Sequence, residues 1–140
     1  MSLSAFLAEN ALAVDNIRYP ASPRFVENGK PVQWELRCIT SSEDEDIRKS
    51  CTRRVQVPGK KNQFTQETDY NAYVAKLAAA CTVYPNLSDK GLQDSYHVMG
   101  AEALLKAMLT PGEYASYAAK VQEVCGFDVS FGELEEEAKN

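Results

Sequence analysis

The sequence predicts an α+β protein in which a small N-terminal β-hairpin region packs with a mainly α-helical C-terminal half. Three observations predict this class. Asn28-Gly29 lies between two runs of β-formers, a strong hairpin signal. Val32, Trp34, Leu36 and Cys38 alternate with Gln33, Glu35 and Arg37, the period of two of a strand with one buried face. From Thr68 onward apolar residues recur instead at spacings of three and four, the period of a helix. The 140 residues fit one domain, 1–140, with a β-containing half over 1–66 and a helical half over 67–140. A chain of this length can bury a core without a disulfide or metal staple.

Taken in order, Ser2 and Ser4 precede an apolar cluster of Leu3, Phe6, Leu7 and Leu12, which predicts a short helix over about 3–10. Val14 to Tyr19 should be extended, because Pro20 and Pro23 follow and a residue before proline avoids the helical region. Arg24 to Glu27 and Val32 to Ile39 should flank the Asn28-Gly29-Lys30-Pro31 turn, the second run burying Trp34. Thr40-Ser41-Ser42-Glu43 has the form of a capping box. Acids at Glu43 to Asp46 followed by Arg48, Lys49, Arg53 and Arg54 suit the macrodipole of a helix over about 42–53. Val55 to Val57 and Gln63 to Thr65 surround Pro58-Gly59-Lys60-Lys61-Asn62, which reads as a second hairpin or an arm.

Tyr70, Tyr73, Val74, Leu77, Ala78, Cys81 and Tyr84 make one apolar stripe, predicting a helix that runs until Pro85 stops it. Ser88 should cap a shorter helix containing Leu92 and Tyr96, with a break at Gly100. Ala101, Leu104, Leu105, Met108 and Leu109 form the next stripe. Thr110-Pro111-Gly112-Glu113 joins a capping threonine, a proline at the first helical position and the glutamate of a capping box. The helix it opens should bury Tyr114, Tyr117, Ala118, Val121, Val124 and Cys125 and end at Gly126. Ser130 and Glu133 should open a last short helix before the acidic tail Glu135 to Glu137.

Composition excludes several classes of function. A hydrophobic fraction of 44% and a charged fraction of 25% are those of an ordinary globular chain, not a disordered or fibrous one. The longest apolar stretch, Tyr73 to Tyr84, is too short for a membrane span and is interrupted by Lys76. Met1 to Leu12 lacks the basic and apolar regions of a signal peptide, so a cytoplasmic protein is expected. Residues 1–64 hold 10 Lys/Arg against 8 Asp/Glu and residues 65–140 hold 5 against 12, giving +2 and −7 within the net −5. So acidic a second half repels phosphates and argues against a dedicated nucleic-acid binder.

The candidate chemical motifs reduce to plainer readings. The four cysteines form no CxxC pair and there is one histidine, so a zinc site of the usual spacing cannot be assembled. Isolated cysteines in a reducing compartment are small buried hydrophobes before they are catalytic thiols. Glu43 to Asp46 point in different directions around a helix and are better read as dipole complements than as metal ligands. Pro58-Gly59-Lys60-Lys61 lacks the earlier glycine and the following Ser or Thr of a phosphate loop. Asp94, Ser95 and His97 spell a triad only by adjacency, whereas triads are assembled in space. No enzyme and no cofactor is therefore expected. Two surfaces remain: a basic loop of Arg53, Arg54, Lys60 and Lys61, and the tyrosines of the helical half. Six of the seven tyrosines lie there, and tyrosine is a preferred interface anchor. Tyr70, Tyr73, Tyr96, Tyr114, Tyr117 and Met108 are the candidate partner-binding residues.

Ile39-Thr40-Ser41-Ser42-Glu43-Asp44-Glu45, Val57-Pro58-Gly59-Lys60-Lys61 and Leu77-Ala78-Ala79-Ala80-Cys81-Thr82-Val83-Tyr84-Pro85-Asn86-Leu87 closely resemble the XkdN-like tail assembly chaperones of phages and defective prophages of Gram-positive bacteria. Leu92-Gln93-Asp94-Ser95-Tyr96, Gly100-Ala101-Glu102-Ala103-Leu104-Leu105-Lys106 and Met108-Leu109-Thr110-Pro111-Gly112-Glu113-Tyr114 extend the likeness over nearly the whole chain. The resemblance implies a non-enzymatic role in building a long phage tail. It implies binding of the tape measure protein, an apolar helical rod, and help in recruiting tail tube protein around it. It further implies, in many phages, a longer frameshifted product. The resemblance assigns no binding residue. The competing reading is a small nucleic-acid-binding or regulatory phage protein that uses the basic loop. Self-association is left open by either reading.

Overall fold

A computed structural model describes residues 1–127, so the predicted last helix at Ser130 to Glu137 lies outside the described residues. Strands lie mostly in the first half and helices mostly in the second, an α+β arrangement.

The chain opens with a 3-10 turn, Ser4–Phe6, that buries none of its residues, where a short helix over 3–10 was expected. Strand β1 (Ile17–Tyr19) follows. Asn28 and Gly29 take positive φ, 53° and 78°, and close the predicted hairpin between β2 (Val26–Glu27) and β3 (Lys30–Pro31). This hairpin is shorter than predicted. Its ladder pairs only Val26 with Pro31 and Glu27 with Lys30, and a last hydrogen bond from the Val32 N–H to the Phe25 carbonyl, 2.7 Å, ends it. The chain leaves the hairpin at Gln33 and re-enters a different sheet at β4 (Trp34–Leu36). There β4 is central, antiparallel to β1 on one side and to β7 (Thr82–Tyr84) on the other.

Helix α1 (Ser41–Ser50) carries the predicted capping box, Thr40 accepting from the Glu43 N–H while Glu43 reaches back to the Thr40 N–H. It ends earlier than predicted, and Arg53 and Arg54 belong instead to β5 (Thr52–Gln56). With β6 (Phe64–Thr68) this strand forms a separate two-stranded ribbon in which every β6 residue is exposed. Such ribbons are marginal alone. This one is fastened at its base by Thr52 Oγ1 to Thr68 Oγ1, 2.7 Å, and by the Asp69 N–H to the Cys51 carbonyl, 2.8 Å.

Asp69 caps α2 (Tyr70–Cys81), which buries Tyr73, Leu77, Ala78 and Cys81 at helical spacing. The helix stops three residues short of the prediction. Thr82 and Val83 are β-branched and Tyr84 precedes Pro85, so all three favour extended backbone, and together they become β7. Asp89, not Ser88, caps α3 (Lys90–Ser95), its carboxylate accepting from the Leu92 N–H at 2.8 Å. Gly100, at φ 98°, opens α4 (Ala101–Met108), and the predicted Thr110 capping box with Pro111 at its start opens α5 (Pro111–Val124).

The core lies where β4 meets α2, α4 and α5. Trp34, Leu36, Leu77, Cys81, Leu104, Leu105, Tyr117 and Val121 are all essentially inaccessible. Trp34 stands edge-on to Tyr117 with ring centres 5.2 Å apart, joining the sheet to the last helix.

Candidate functional site

The structure divides the candidate partner-binding residues into two groups. Tyr73, Tyr117 and Met108 are core residues, not surface anchors. Tyr73 sits between α1 and α2, where its hydroxyl donates to Asp44, accepts from Arg48 Nη2 at 3.1 Å, and its ring lies under the Arg48 guanidinium. Burial and the Asp44 carboxylate together hold its hydroxyl protonated well above the ordinary phenol range. Tyr117 packs under Trp34 and shares a hydrogen bond with Thr82 Oγ1 at 2.5 Å. Met108 is buried, and its carbonyl accepts from Arg24 Nη2 at 2.6 Å. These side chains were selected by a period of three and four, and that period marks the face a helix turns inward.

The other three reach the surface. Tyr70 is 60% exposed at the start of α2, and Tyr96 and Tyr114 are half-buried. Tyr114 lines an apolar depression of about 300 Å³ with Lys106, Leu109 and Pro111. A second apolar depression, of about 180 Å³, is lined by Phe25, Val32, Trp34, Tyr84, Pro85, Leu92 and Met108. Tyr84, assigned from the sequence to the α2 stripe, is an exposed residue of an edge strand instead.

Two features hold the 20s loop and β4 to the helices beside these surfaces. Glu113 accepts from Arg24 at 2.8 Å, from the buried Ser22 hydroxyl at 2.6 Å and from the Thr110 N–H at 2.9 Å. Those donors hold its carboxyl at about 2, well below the ordinary carboxylate range, with Arg24 the largest cause. Glu43 receives the two Arg37 nitrogens at 3.3 and 2.9 Å, and Arg37 with the Thr40 cap lowers it likewise to about 2.

Sequence reasoning missed an exposed apolar segment at the start of the chain. Leu3, Phe6, Leu12 and Val14 are 75%, 80%, 97% and 69% exposed, and the segment before β1 buries none of its residues. Their clustering was visible in the sequence, but clustering alone does not say whether a partner surface exists within the same chain. The basic residues are brought together only in part. Arg53 and Arg54 lie on the exposed ribbon and Lys60 and Lys61 at its turn. Arg53 stands opposite Glu67 in the ladder, and the Arg54 guanidinium lies 4.0 Å from the centre of the Phe64 ring.

The family model described as phage XkdN-like tail assembly chaperone protein matches residues 3–139. The chain belongs to the phage XkdN-like tail assembly chaperone family. Its relatives include the phage-like element PBSX protein XkdN of Bacillus subtilis (strain 168), 31% identical over 140 residues that span 99% of this chain and 93% of that one. The uncharacterized protein YqbN of the same organism is 32% identical over the same coverage. The crystal structure of YqbN superposes with a TM-score of 0.77 at 27% identity, covering 91% of this chain and 98% of the other. The exposed apolar N-terminal segment, the two apolar depressions and Tyr70 are apolar area that the described residues leave at the surface.

Proposed function

We propose that this chaperone binds the tape measure protein of its phage or prophage, keeps that apolar helical rod soluble, and aids assembly of the tail tube protein around it. It does so as one domain, 1–140, in the host cytoplasm, without catalysis and without a cofactor. The observation that carries the reading is the unpartnered apolar surface of Leu3, Phe6, Leu7, Leu12 and Val14 on a member of a tail assembly chaperone family. An amphipathic helix laid into an apolar groove is a common recognition mode; Tyr114 lines such a depression and Tyr70 offers a separate exposed ring. The acidic helical half keeps the complex dispersed. Among the described residues no helix is long and apolar enough to cross a membrane.

Co-expression with the adjacent tape measure gene, followed by affinity capture on the chaperone, tests the reading. A soluble complex at defined stoichiometry is expected. Tape measure protein that stays insoluble with or without the chaperone overturns it.

A second reading, nucleic-acid binding, draws on the exposure of Arg53, Arg54, Lys60 and Lys61 on one ribbon. It requires a DNA complex whose affinity falls steeply with salt. The total charge of −5 and the Glu67 partner opposite Arg53 both weigh against it.

A further inference from the structure

Three of the four cysteines, distant in sequence, meet where α2 and α5 end. Cys81 closes α2, Cys125 caps α5, and their sulfurs are 3.4 Å apart although 44 positions separate them. Cys38 follows β4, lies against the Ile39 carbonyl at 3.3 Å and is within hydrogen-bonding reach of Cys125. Cys51 is elsewhere, beside the Ser50 hydroxyl. The paired thiols differ in access. Cys81 is completely buried, whereas Cys125 is half-buried and lines an open depression of about 260 Å³ with Ile39, Thr40, Asp44 and Phe127.

The surroundings favour charge on the accessible sulfur. The Cys81 and Cys125 sulfurs share a hydrogen bond, and that contact, with the Ile39 backbone beside Cys125, holds Cys125 below the ordinary thiol range, while the same contact and burial push Cys81 up. The Arg37 guanidinium, fixed by Glu43 and by the Ala80 carbonyl at 3.1 Å, faces the same pair. Burial of Cys125 acts in the opposite sense, as do Asp44 and the C-terminal end of α5, and the direction that remains is downward. Among the described residues no group of three or more His, Cys, Asp or Glu side chains is arranged to hold a metal ion.

We propose that Cys125 is a site of oxidative modification, attacking hydrogen peroxide and being resolved by Cys81 to a disulfide that ties α2 to α5. In the first step the Cys125 thiolate attacks a peroxide oxygen. The S–O bond forms, the O–O bond breaks, and the departing hydroxide takes a proton to leave as water. Sulfur is oxidised to the sulfenic acid and the peroxide is reduced. In the second step the Cys81 sulfur attacks the sulfenic sulfur, the S–S bond forms, the S–O bond breaks, and the Cys81 proton leaves with hydroxide as a second water. Closing the gap from 3.4 Å to a bond of about 2.05 Å needs a shift of roughly 1.4 Å, within the range of side-chain rotation.

The test treats the full-length protein with hydrogen peroxide, then alkylates it and maps the cysteine peptides by mass. The expected result is loss of two hydrogen atoms, a Cys81–Cys125 cross-linked peptide, and its disappearance on treatment with dithiothreitol. Cys81→Ser, or Cys81→Ala if the serine variant folds poorly, should stop at a sulfenic acid on Cys125 that dimedone captures. Cys125→Ser should consume peroxide on the order of tenfold more slowly than wild type. Four thiols that stay equally open to alkylation after peroxide overturn the proposal. So does a linkage through Cys51 or between chains, and a Cys38–Cys125 link overturns the assignment of Cys81.

Discussion

The Tyr73 hydroxyl on α2 donates to the Asp44 carboxylate on α1, 29 positions earlier, and Arg48 closes the contact from above. A residue chosen from the sequence as a partner anchor is thus the fastener between the first two helices. Tyr73→Phe should cost about 1.5–3 kcal/mol of stability, the range for a hydrogen bond to a charged group. Urea unfolding measures the loss, and capture of a tape measure client should be unchanged. A variant as stable as wild type would show that Asp44 and Arg48 satisfy each other without the phenol.

Trp34 is 1% exposed, so its emission should be blue-shifted in the native protein and move red on unfolding. Trp34→Ala should cost about 3–5 kcal/mol, since it opens a cavity against Tyr117 and Phe25. Native emission at the wavelength of free indole would contradict the central place of β4.

Acid should destabilise the protein through Glu113 and Glu43. Each begins to take up a proton near 4.5 in the unfolded chain but only near about 2 in the folded one. Between those values the unfolded state binds more protons, so stability is full above 4.5 and falls as the pH drops toward 2. Glu113→Gln should be less stable than wild type at neutral pH and lose less on acidification. Thermal midpoints over the acid range decide it, and parallel curves for the two proteins would exclude Glu113 as a cause.

Lys60 and Lys61 are exposed in the turn between β5 and β6. Replacing both with Ser should change stability by less than about 0.5 kcal/mol. On client binding the change should act mainly through association rate and salt dependence. A large drop in the melting temperature would mean that the turn packs against the body.

Tyr70→Ala and Phe6→Ala should leave the fold intact, because both side chains are exposed. Each should weaken tape measure binding by about 1–2 kcal/mol if it serves as an anchor, read by titration of the purified chaperone against a soluble client segment. If both bind like wild type while the Lys60/Lys61 variant fails to solubilise the client, an electrostatic arm replaces the apolar surface as the binding element.

The local elements were legible because their causes are local. The Thr40 and Thr110 capping boxes, the Asn28-Gly29 turn and the period-two run through Trp34 each need only a few consecutive residues to specify them. The miss at Thr82 to Tyr84 has the opposite cause. Its apolar spacing continues that of α2, and only the presence of β4 alongside makes a strand the better use of β-branched residues before a proline. Tyr73 and Tyr117 turn inward for a related reason, since periodicity identifies a helix's inward face and says nothing of which residues remain outside.

The sequence by itself determined the α+β class, the capped starts of α1 and α5, the burial of Trp34 and, through its resemblance, the family. Tertiary structure alone decided that Tyr73 and Tyr117 are fasteners and that Leu3, Phe6, Leu12 and Val14 are left in water. It also decided that Cys81 and Cys125, 44 positions apart, touch. The physical reason is that capping, turn formation and alternation are energies of neighbouring residues. Whether a side chain is anchor, core or reactive pair depends on which distant element packs against it.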